Sequence, residues 1–426
     1  MITILCSGSR GDVQPYLALA QELTALGLTC RIATGRTFES FVRSYGIDFY
    51  SIDVDYESAG VDSKTISQAQ KADGVWKMFR SFHKLREFGI YMVDKYHDAC
   101  LNSDAIIFHP GLTIGYYMAQ RLGIPAILAS PFPLHGTKER PSVIVYGKVR
   151  SNPLTNWLSY RMLQGMLWMA AVTSLKVFWK TKYGKLPEPF GMPFEWFKHQ
   201  QRPALISCSD LVFSRPADWN PHIHQHGYWV VKEPKTYEPS AELVDFLATG
   251  EKPISFGFGS MFDPAEQEQI SQTIIEALRL TGKRGILLGM NGLSDLPKTI
   301  MALDSVPHTW LFPQMAAVCH HGGAGTSAAG FLAGVPSIIL PFALDQYAWA
   351  QRSFELGVGS KPLPIKKMSV KRLSEAILFA TQPEVVAKAK ELGEKLSLEN
   401  GARDCARVIS DMDGLRNQVG SNDSIL

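Results

Sequence analysis

The chain holds 426 residues, 46% of them hydrophobic and 19% charged, which is enough apolar content for two cores of ordinary domain size. A formal charge of +3 is too small a bias for a nucleic-acid binder, and no such partner is expected. Six cysteines (Cys6, Cys30, Cys100, Cys208, Cys319 and Cys405) stand far apart without a C-x-x-C pair, several inside apolar runs, so free buried thiols in a reducing compartment are expected rather than disulfides. Met1 runs straight into the strand-like Ile2, Thr3, Ile4 and Leu5, which leaves no room for a signal peptide and predicts a cytoplasmic protein.

Residues 2–6 form the first expected strand. The loop Ser7-Gly8-Ser9-Arg10-Gly11-Asp12-Val13-Gln14 follows, with Pro15 where a first helical turn accepts it. Leu17, Ala20, Leu23 and Leu26 keep helical spacing, Gly27 is placed to end that helix, and residues 28–33 form a second strand. Alone, the glycine pair of this loop fits the tight turn of any doubly wound sheet, and Asp12 suits the positive end of the helix. Residues 104–108 and 125–129 are further buried strands, with 115–122 helical between them, and the loop 131–137 hangs from the carboxyl end of the second. Its His135 is either a solvated loop residue or one that orients a ligand.

Residues 151–153 start a helix, and 157–179 is unusually apolar, with seven uninterrupted hydrophobic residues at 166–172. Arg161, Gln164, Ser174 and Lys176 interrupt it, so a pair of helices is expected rather than a transmembrane span. Together with Lys180, Lys182 and Lys185, the segment 157–185 is also a candidate for peripheral membrane contact or for a greasy entrance to an apolar ligand site. His222, His224 and His226 alternate, so a strand would place all three imidazoles on one face. Zinc sites use such ligands, but no fourth ligand lies at a matching spacing, and no metal is expected there.

Residues 232–239 turn to Lys, Glu, Pro and Thr, the composition of an interdomain linker. Residues 253–258 form a buried strand followed by Gly259, Ser260 and Met261; Ile270, Ile274, Ala277 and Leu278 mark a helix, and 285–288 another strand. The most specific stretch is 306–346, VPHTWLFPQMAAVCHHGGAGTSAAGFLAGVPSIILPFALDQ. Within it a short strand, 316–319, feeds His320 and His321, then Gly322, Gly323, Ala324, Gly325 and Thr326, then a helical pattern closing at Gly334. A strand entering a glycine-rich turn that opens a helix is a phosphate site: free N–H groups and the positive helix end face the anion, and missing side chains let it come close. A histidine beside the turn adds a donor. Asp345 and Gln346 stand past the next strand, 337–340, at the carboxyl edge where ligands of open parallel sheets sit, and a carboxylate beside an amide suits sugar hydroxyls. Helices are expected at 347–356, 370–380, 383–396 and 402–412, and disorder from Asn417.

The succession W-L-F-P-x, H-H-G-G-A-G-T and D-Q resembles the donor-binding signature of family 1 glycosyltransferases, nearest to the branch of sterol glucosyltransferases and antibiotic-tailoring enzymes. The resemblance implies the GT-B fold: α/β, two Rossmann-like doubly wound domains facing each other across a cleft. Here these would be 1–234 for the acceptor and 235–405 for the nucleotide sugar, with 406–426 a helix crossing back and a tail. It implies Asp12 as catalytic base and His321 as the second catalytic group. The donor would meet Ser260 at its phosphates, Trp310 and Gln314 at its base, His321, Gly323, Ala324, Gly325 and Thr326 at its diphosphate, and Asp345 and Gln346 at its sugar. The acceptor would lie at Ser9, Arg10, Asp12, Phe132 and His135. Trp310 stands three positions before Pro313 where plant relatives have two, and Met290 follows Gly289 where relatives carry tryptophan. Asp53-Val54-Asp55 has the D-x-D form of the metal site in the other large fold, GT-A, but reads here as a solvated loop. Backbone dipoles and His321 serve the leaving group, so neither metal nor cofactor is implied.

An acceptor hydroxyl must lose its proton as it attacks the anomeric carbon, and a carboxylate in reach is worth ~10²- to 10⁴-fold in rate. The expected reaction is therefore inverting transfer of a hexose, from UDP-glucose or a dTDP-sugar, to a hydroxyl of an apolar acceptor such as a sterol, another lipid or a polyketide, by a monomer or weak homodimer. Two other readings remain open. A sugar-nucleotide epimerase on the same fold would need no acceptor, and a non-catalytic sugar-nucleotide or lipid-binding protein would need no base.

Overall fold

Strand segments such as Ile2–Leu5, Ala105–Phe108 and Ala126–Ser130 are buried at every position, the signature of parallel strands covered on both faces rather than of a half-wet antiparallel sheet. In the computed structural model, which describes residues 1–53, 86–194, 202–232, 237–259, 264–290, 295–412 and 415, such strands build two separate parallel sheets.

The first compact unit comprises Met1–Ser142, Arg150–Pro234 and Glu399–Leu426. Its strands are β1 (Ile2–Leu5), β2 (Cys30–Gly35), β3 (Asp48–Ile52), β4 (Ala105–Phe108), β5 (Ala126–Ser130), β6 (Ala204–Ile206) and β7 (Ile223–Gln225), in the order β3-β2-β1-β4-β5-β6-β7. Its helices include α1 (Arg10–Ala25), α2 (Arg86–Cys100), α3 (Ile114–Leu122) and α4 (Pro153–Tyr183). The strand order reverses at β1/β4, and the crevice outside the carboxyl ends at such a reversal is where open α/β sheets bind ligands. There β1 and β4 end level, with Leu5 opposite Phe108, and His109 N donates to Leu5 O at 3.0 Å.

Helix α4 corrects the expected pair of helices: it is continuous over 31 residues. The Asn152 side chain caps its start by accepting from Leu154 N and Thr155 N, Pro153 occupies the first turn, and Gly184 at φ +74 ends it in the left-handed region. The polar residues that seemed to interrupt it are partly structural, since Gln164 and Ser174 are buried and Gln164 Nε2 donates to Leu134 O at 3.2 Å. On β7, Ile223 and Gln225 turn inward and His222, His224 and His226 take the other face. Asp53 accepts from Ser51 Oγ at 3.1 Å, while Val54 and Asp55 lie outside the described residues.

The second unit comprises Val143–Val149 and Lys235–Leu398. Its strands β8 (Ile254–Gly257), β9 (Gly285–Leu288), β10 (Ile300–Leu303), β11 (Ala317–His320) and β12 (Ser337–Ile339) run in the order β10-β9-β8-β11-β12, so its reversal lies between β8 and β11. Helices α5 (Pro264–Thr281), α6 (Ala324–Leu332), α7 (Gln346–Glu355), α8 (Val370–Ala380) and α9 (Pro383–Leu396) accompany it. The strap 143–149 packs on α7: Tyr146 OH donates to Glu355 Oε2 at 2.7 Å, and the Lys148 ammonium sits 3.9 Å from the centre of the Tyr347 ring.

The last described helix, α10 (Gly401–Ser410), returns to the first unit, where Ala402, Cys405, Ala406 and Ile409 share a core with Val13, Tyr16 and Leu17 of α1. The division therefore falls between Leu398 and Glu399, not at 405/406: the buried face of α10 begins at its first turn, and Glu399 is already held by Ser209 Oγ at 2.6 Å. All six cysteines are buried and unpaired.

Candidate active site

In the second unit, β11 ends level with its neighbours, His320 standing opposite both Gly257 and Ile339. The chain then turns through Gly322, at φ +91, where a Cβ would lie 2.6 Å from Ile339 Cγ2 and 3.0 Å from Gln346 O. Only glycine fits that backbone. The next residue, Gly323, is the N-cap of α6 and, being glycine, offers no side chain to cap the helix. The amides that open α6 thus lie at the carboxyl edge of the sheet beside the β8/β11 reversal, the arrangement that attracts an anion.

The two histidines differ in role. His320 is buried, its Nδ1 accepts from Gly322 N at 3.0 Å, and burial, then the nearby His321 and His308, pushes its pKa well below the usual 6.5. It is a neutral structural group. His321 is half-buried, and a Cβ on Gly323 would come within 2.7 Å of its Nε2, so this imidazole closes over the bare Cα at the start of α6.

Asp345 is the N-cap residue of α7 and its Oδ2 accepts from Trp349 Nε1 at 3.0 Å, which fixes the carboxylate at the helix start. Gln346 Oε1 accepts from Phe342 N and Ala343 N at 2.8 and 3.2 Å. The oxygen holds the turn, so the amide nitrogen is the part of this side chain left to meet a hydroxyl.

In the first unit, Gly8 at φ +130 carries the turn after β1, and a Cβ there would collide with the Asp12 carboxylate. Asp12 Oδ2 accepts from Ser9 N at 2.7 Å and Ser9 Oγ at 2.9 Å, a capping box that opens α1 and sets the carboxylate in place while Oδ1 stays outside it. Ser9 is thereby a positioning group, and the Arg10 guanidinium lies 4.4 Å over the Phe41 ring. Sequence reasoning missed His109. Directly after β4, it shares the β1/β4 reversal with Asp12, packs edge-on against Tyr16 with centroids 6.3 Å apart, and accepts from Gly111 N through Nδ1 at 3.0 Å. Burial lowers its pKa and the Asp12 charge works in the opposite direction.

Comparison with known proteins fits both halves of this arrangement. Residues 2–139 match the glycosyltransferase family 28 N-terminal domain, and residues 288–410 match the erythromycin biosynthesis protein CIII-like C-terminal domain. A sterol 3-beta-glucosyltransferase of Arabidopsis thaliana is 34% identical over 419 residues, covering 94% of this chain and 66% of that protein. A second one from the same plant is 32% identical over 417 residues, covering 94% and 63%. This chain thus spans somewhat under two thirds of the length of these plant relatives. The solved glycotransferase of kitacinnamycin superposes with a TM-score of 0.69 at 18% identity, over 96% of this chain and 98% of its own. The chain belongs to the GT-B glycosyltransferases.

Other candidate residues of this GT-B family member fall differently. Trp310 is half-buried, edge-on to Tyr237 at 5.1 Å, and Gln314 Nε2 donates to Trp310 O at 3.1 Å, so both are engaged within the second unit. Ser260 lies outside the described residues. Phe132 is half-buried, its carbonyl accepting from Ser130 Oγ at 2.6 Å. His135 is not solvated. It is buried, the Trp219 indole donates to its carbonyl at 3.1 Å, and neither ring nitrogen has a hydrogen-bond partner among the described residues.

One group among the described residues, Asp94, His97 and Asp98, brings three potential metal-ligand atoms together. Lys182 Nζ lies 3.1 Å from Asp94 and 3.7 Å from Asp98, and both His97 nitrogens are taken, by Asp98 at 2.8 Å and Tyr183 OH at 2.6 Å. This is an ion-paired knot that fastens α2 to α4.

Burial lowers the His135 pKa from 6.5 to about 4. The fold takes this imidazole neutral, whereas the unfolded chain protonates it below its ordinary pKa. Stability is therefore fully present above pH 6.5 and declines as pH falls towards 4, by ~3 kcal/mol from this residue. Denaturant unfolding from pH 7 to pH 4 should show a shallower decline in His135→Gln than in the parent, and an identical decline would mean that His135 titrates as an exposed imidazole does.

Proposed function

We propose that this chain transfers a hexose, glucose from UDP-glucose or the equivalent dTDP-sugar, to a hydroxyl of an apolar acceptor of the sterol or polyketide kind, with inversion at the anomeric carbon. One observation carries the reading. Each sheet brings a chemically suited group to its own reversal point, a capped and oriented carboxylate at Asp12 in the first unit and an uncapped helix start beside an imidazole in the second. The sterol 3-beta-glucosyltransferases among the relatives favour glucose and a sterol. One solved neighbour, a Streptomyces glycosyltransferase complexed with thymidine diphosphate, keeps the thymidine donor in play.

In this mechanism the acceptor O–H gives its proton to Asp12 Oδ1, and the oxygen attacks the anomeric carbon from the side opposite the leaving group. The bond from that carbon to the diphosphate oxygen breaks, and its electron pair leaves on the diphosphate. The amides opening α6 and the His321 imidazole meet the added charge, the electrostatic contribution that is usually largest in such transfers. Asp345 and the Gln346 amide hold sugar hydroxyls and so set the attack geometry. A single displacement turns an α-linked donor into a β-glycoside. The arrangement serves the diphosphate without a divalent cation, and metal independence is part of the proposal.

Three measurements bear on it. Asp12→Asn keeps the capping geometry but removes the base, so turnover should fall at least ~10²-fold with donor binding near normal; unchanged turnover removes Asp12 from the reaction. His321→Ala should cost roughly 2–4 kcal/mol in kcat/KM, by analogy with loss of one oxyanion donor, and a loss below about tenfold would leave the helix amides sufficient alone. Turnover with UDP-glucose and a sterol should survive excess chelator. Loss of activity that added magnesium or manganese restores would overturn metal independence while leaving the transfer itself standing.

A further inference from the structure

Helix α4 has two unlike faces. Its inward side carries Tyr160, Leu163, Leu175 and Phe178, all buried. Its outward side carries Leu154, Trp157, Leu158, Met162 and Met169, between 42 and 65% exposed. Spacings of three, four and seven place these five residues in one stripe, and Gly165 in the same stripe keeps it low at its middle. Single exposed apolar residues need no explanation, but a continuous ridge along one helix marks a surface that meets something else.

The charges around the ridge say what that is. From Arg150 to Lys185 the sequence has six Lys and Arg and no Asp or Glu, and of these Lys182 is paired with Asp94 and Asp98 of α2, in a chain whose whole net charge is only +3. Arg150 lies just before the helix, Arg161 within the stripe, and Lys176 and Lys180 on its continuation; all but Arg161 are exposed. A second copy of this chain would bring the same cations to the contact, and protein interfaces disfavour unopposed Lys. An anionic bilayer surface complements both features, taking Leu, Trp and Met at the acyl boundary and Lys and Arg at the headgroups. Among the described residues, no helix is long and apolar enough to cross a membrane, so α4 would lie along the interface.

We propose that the outward face of α4 docks this protein on an anionic lipid surface. Taken with the transfer reading, on which this last step alone rests, such docking lets a bilayer-dissolved acceptor reach the first unit without passing through water.

Sedimentation of the full chain with mixed phosphatidylserine–phosphatidylcholine vesicles tests the docking with neither donor nor acceptor present, so its outcome is separate from that of the transfer reaction. Binding should exceed that to pure phosphatidylcholine vesicles and weaken as salt rises. The variant Leu154→Ser/Leu158→Ser/Met162→Ser, altered only at exposed positions, should bind at least tenfold more weakly while melting like the parent. Lys176→Gln and Lys180→Gln should each cost about fivefold. Failure of the parent to bind anionic vesicles, or binding that the triple variant leaves intact, would overturn the proposal. So would a dimer in solution that the triple variant abolishes, which would assign the ridge to a second copy of the chain.

Discussion

The absence of side chains at two consecutive residues, Gly322 and Gly323, is the constraint on which the second unit depends. A methyl group at Gly322 would strike Ile339 and the Gln346 backbone, and one at Gly323 would strike His321. The turn from β11 into α6 can therefore be this tight only because both positions are bare, and the tightness brings the opening amides of α6 to the sheet edge beside α7. The same close approach sets Asp345 and Gln346 near that helix start. Their side chains are in turn held by Trp349 and by the 342–343 amides rather than by chance rotamers.

The first unit solves a similar problem with a different device. Gly8 lets the chain fold back so that Asp12 caps α1 through Ser9, and one carboxylate oxygen spent on the cap orients the other. Tyr16, one turn later on α1, ties this helix to the sheet by donating to Ala129 O at 2.7 Å, and it packs edge-on against both His109 and Trp229. The carboxylate thus stands on a helix whose placement is set by buried contacts.

What could be read from sequence was whatever is local. A strand, a glycine turn and a helix start lie within a few residues in both 2–25 and 316–334, so both loops and their parallel-sheet setting were legible, as were α8 and α9 to the residue. His109 was not, because its place beside Asp12 follows from β1 pairing with β4 across about a hundred residues, and no periodicity reports strand order. Strands β6 and β10 carry no such neighbouring turn signal and are not legible in the same way. Helix α4 was misjudged for another reason: Gln164 and Ser174 look like breaks in an apolar run until tertiary partners turn them inward. The burial of His135 likewise depends on Trp219, far along the chain.

The return of α10 to the first unit has a consequence for biosynthesis. The core formed by Val13, Tyr16 and Leu17 is finished by Ala402, Cys405, Ala406 and Ile409, residues synthesised after the whole of the second unit. The opening segment must therefore wait, with the α1 surface that α10 will cover still wet, while the second unit is made and has all its strands in hand. A nascent chain cut short before residue 401 would leave that apolar strip of α1 uncovered.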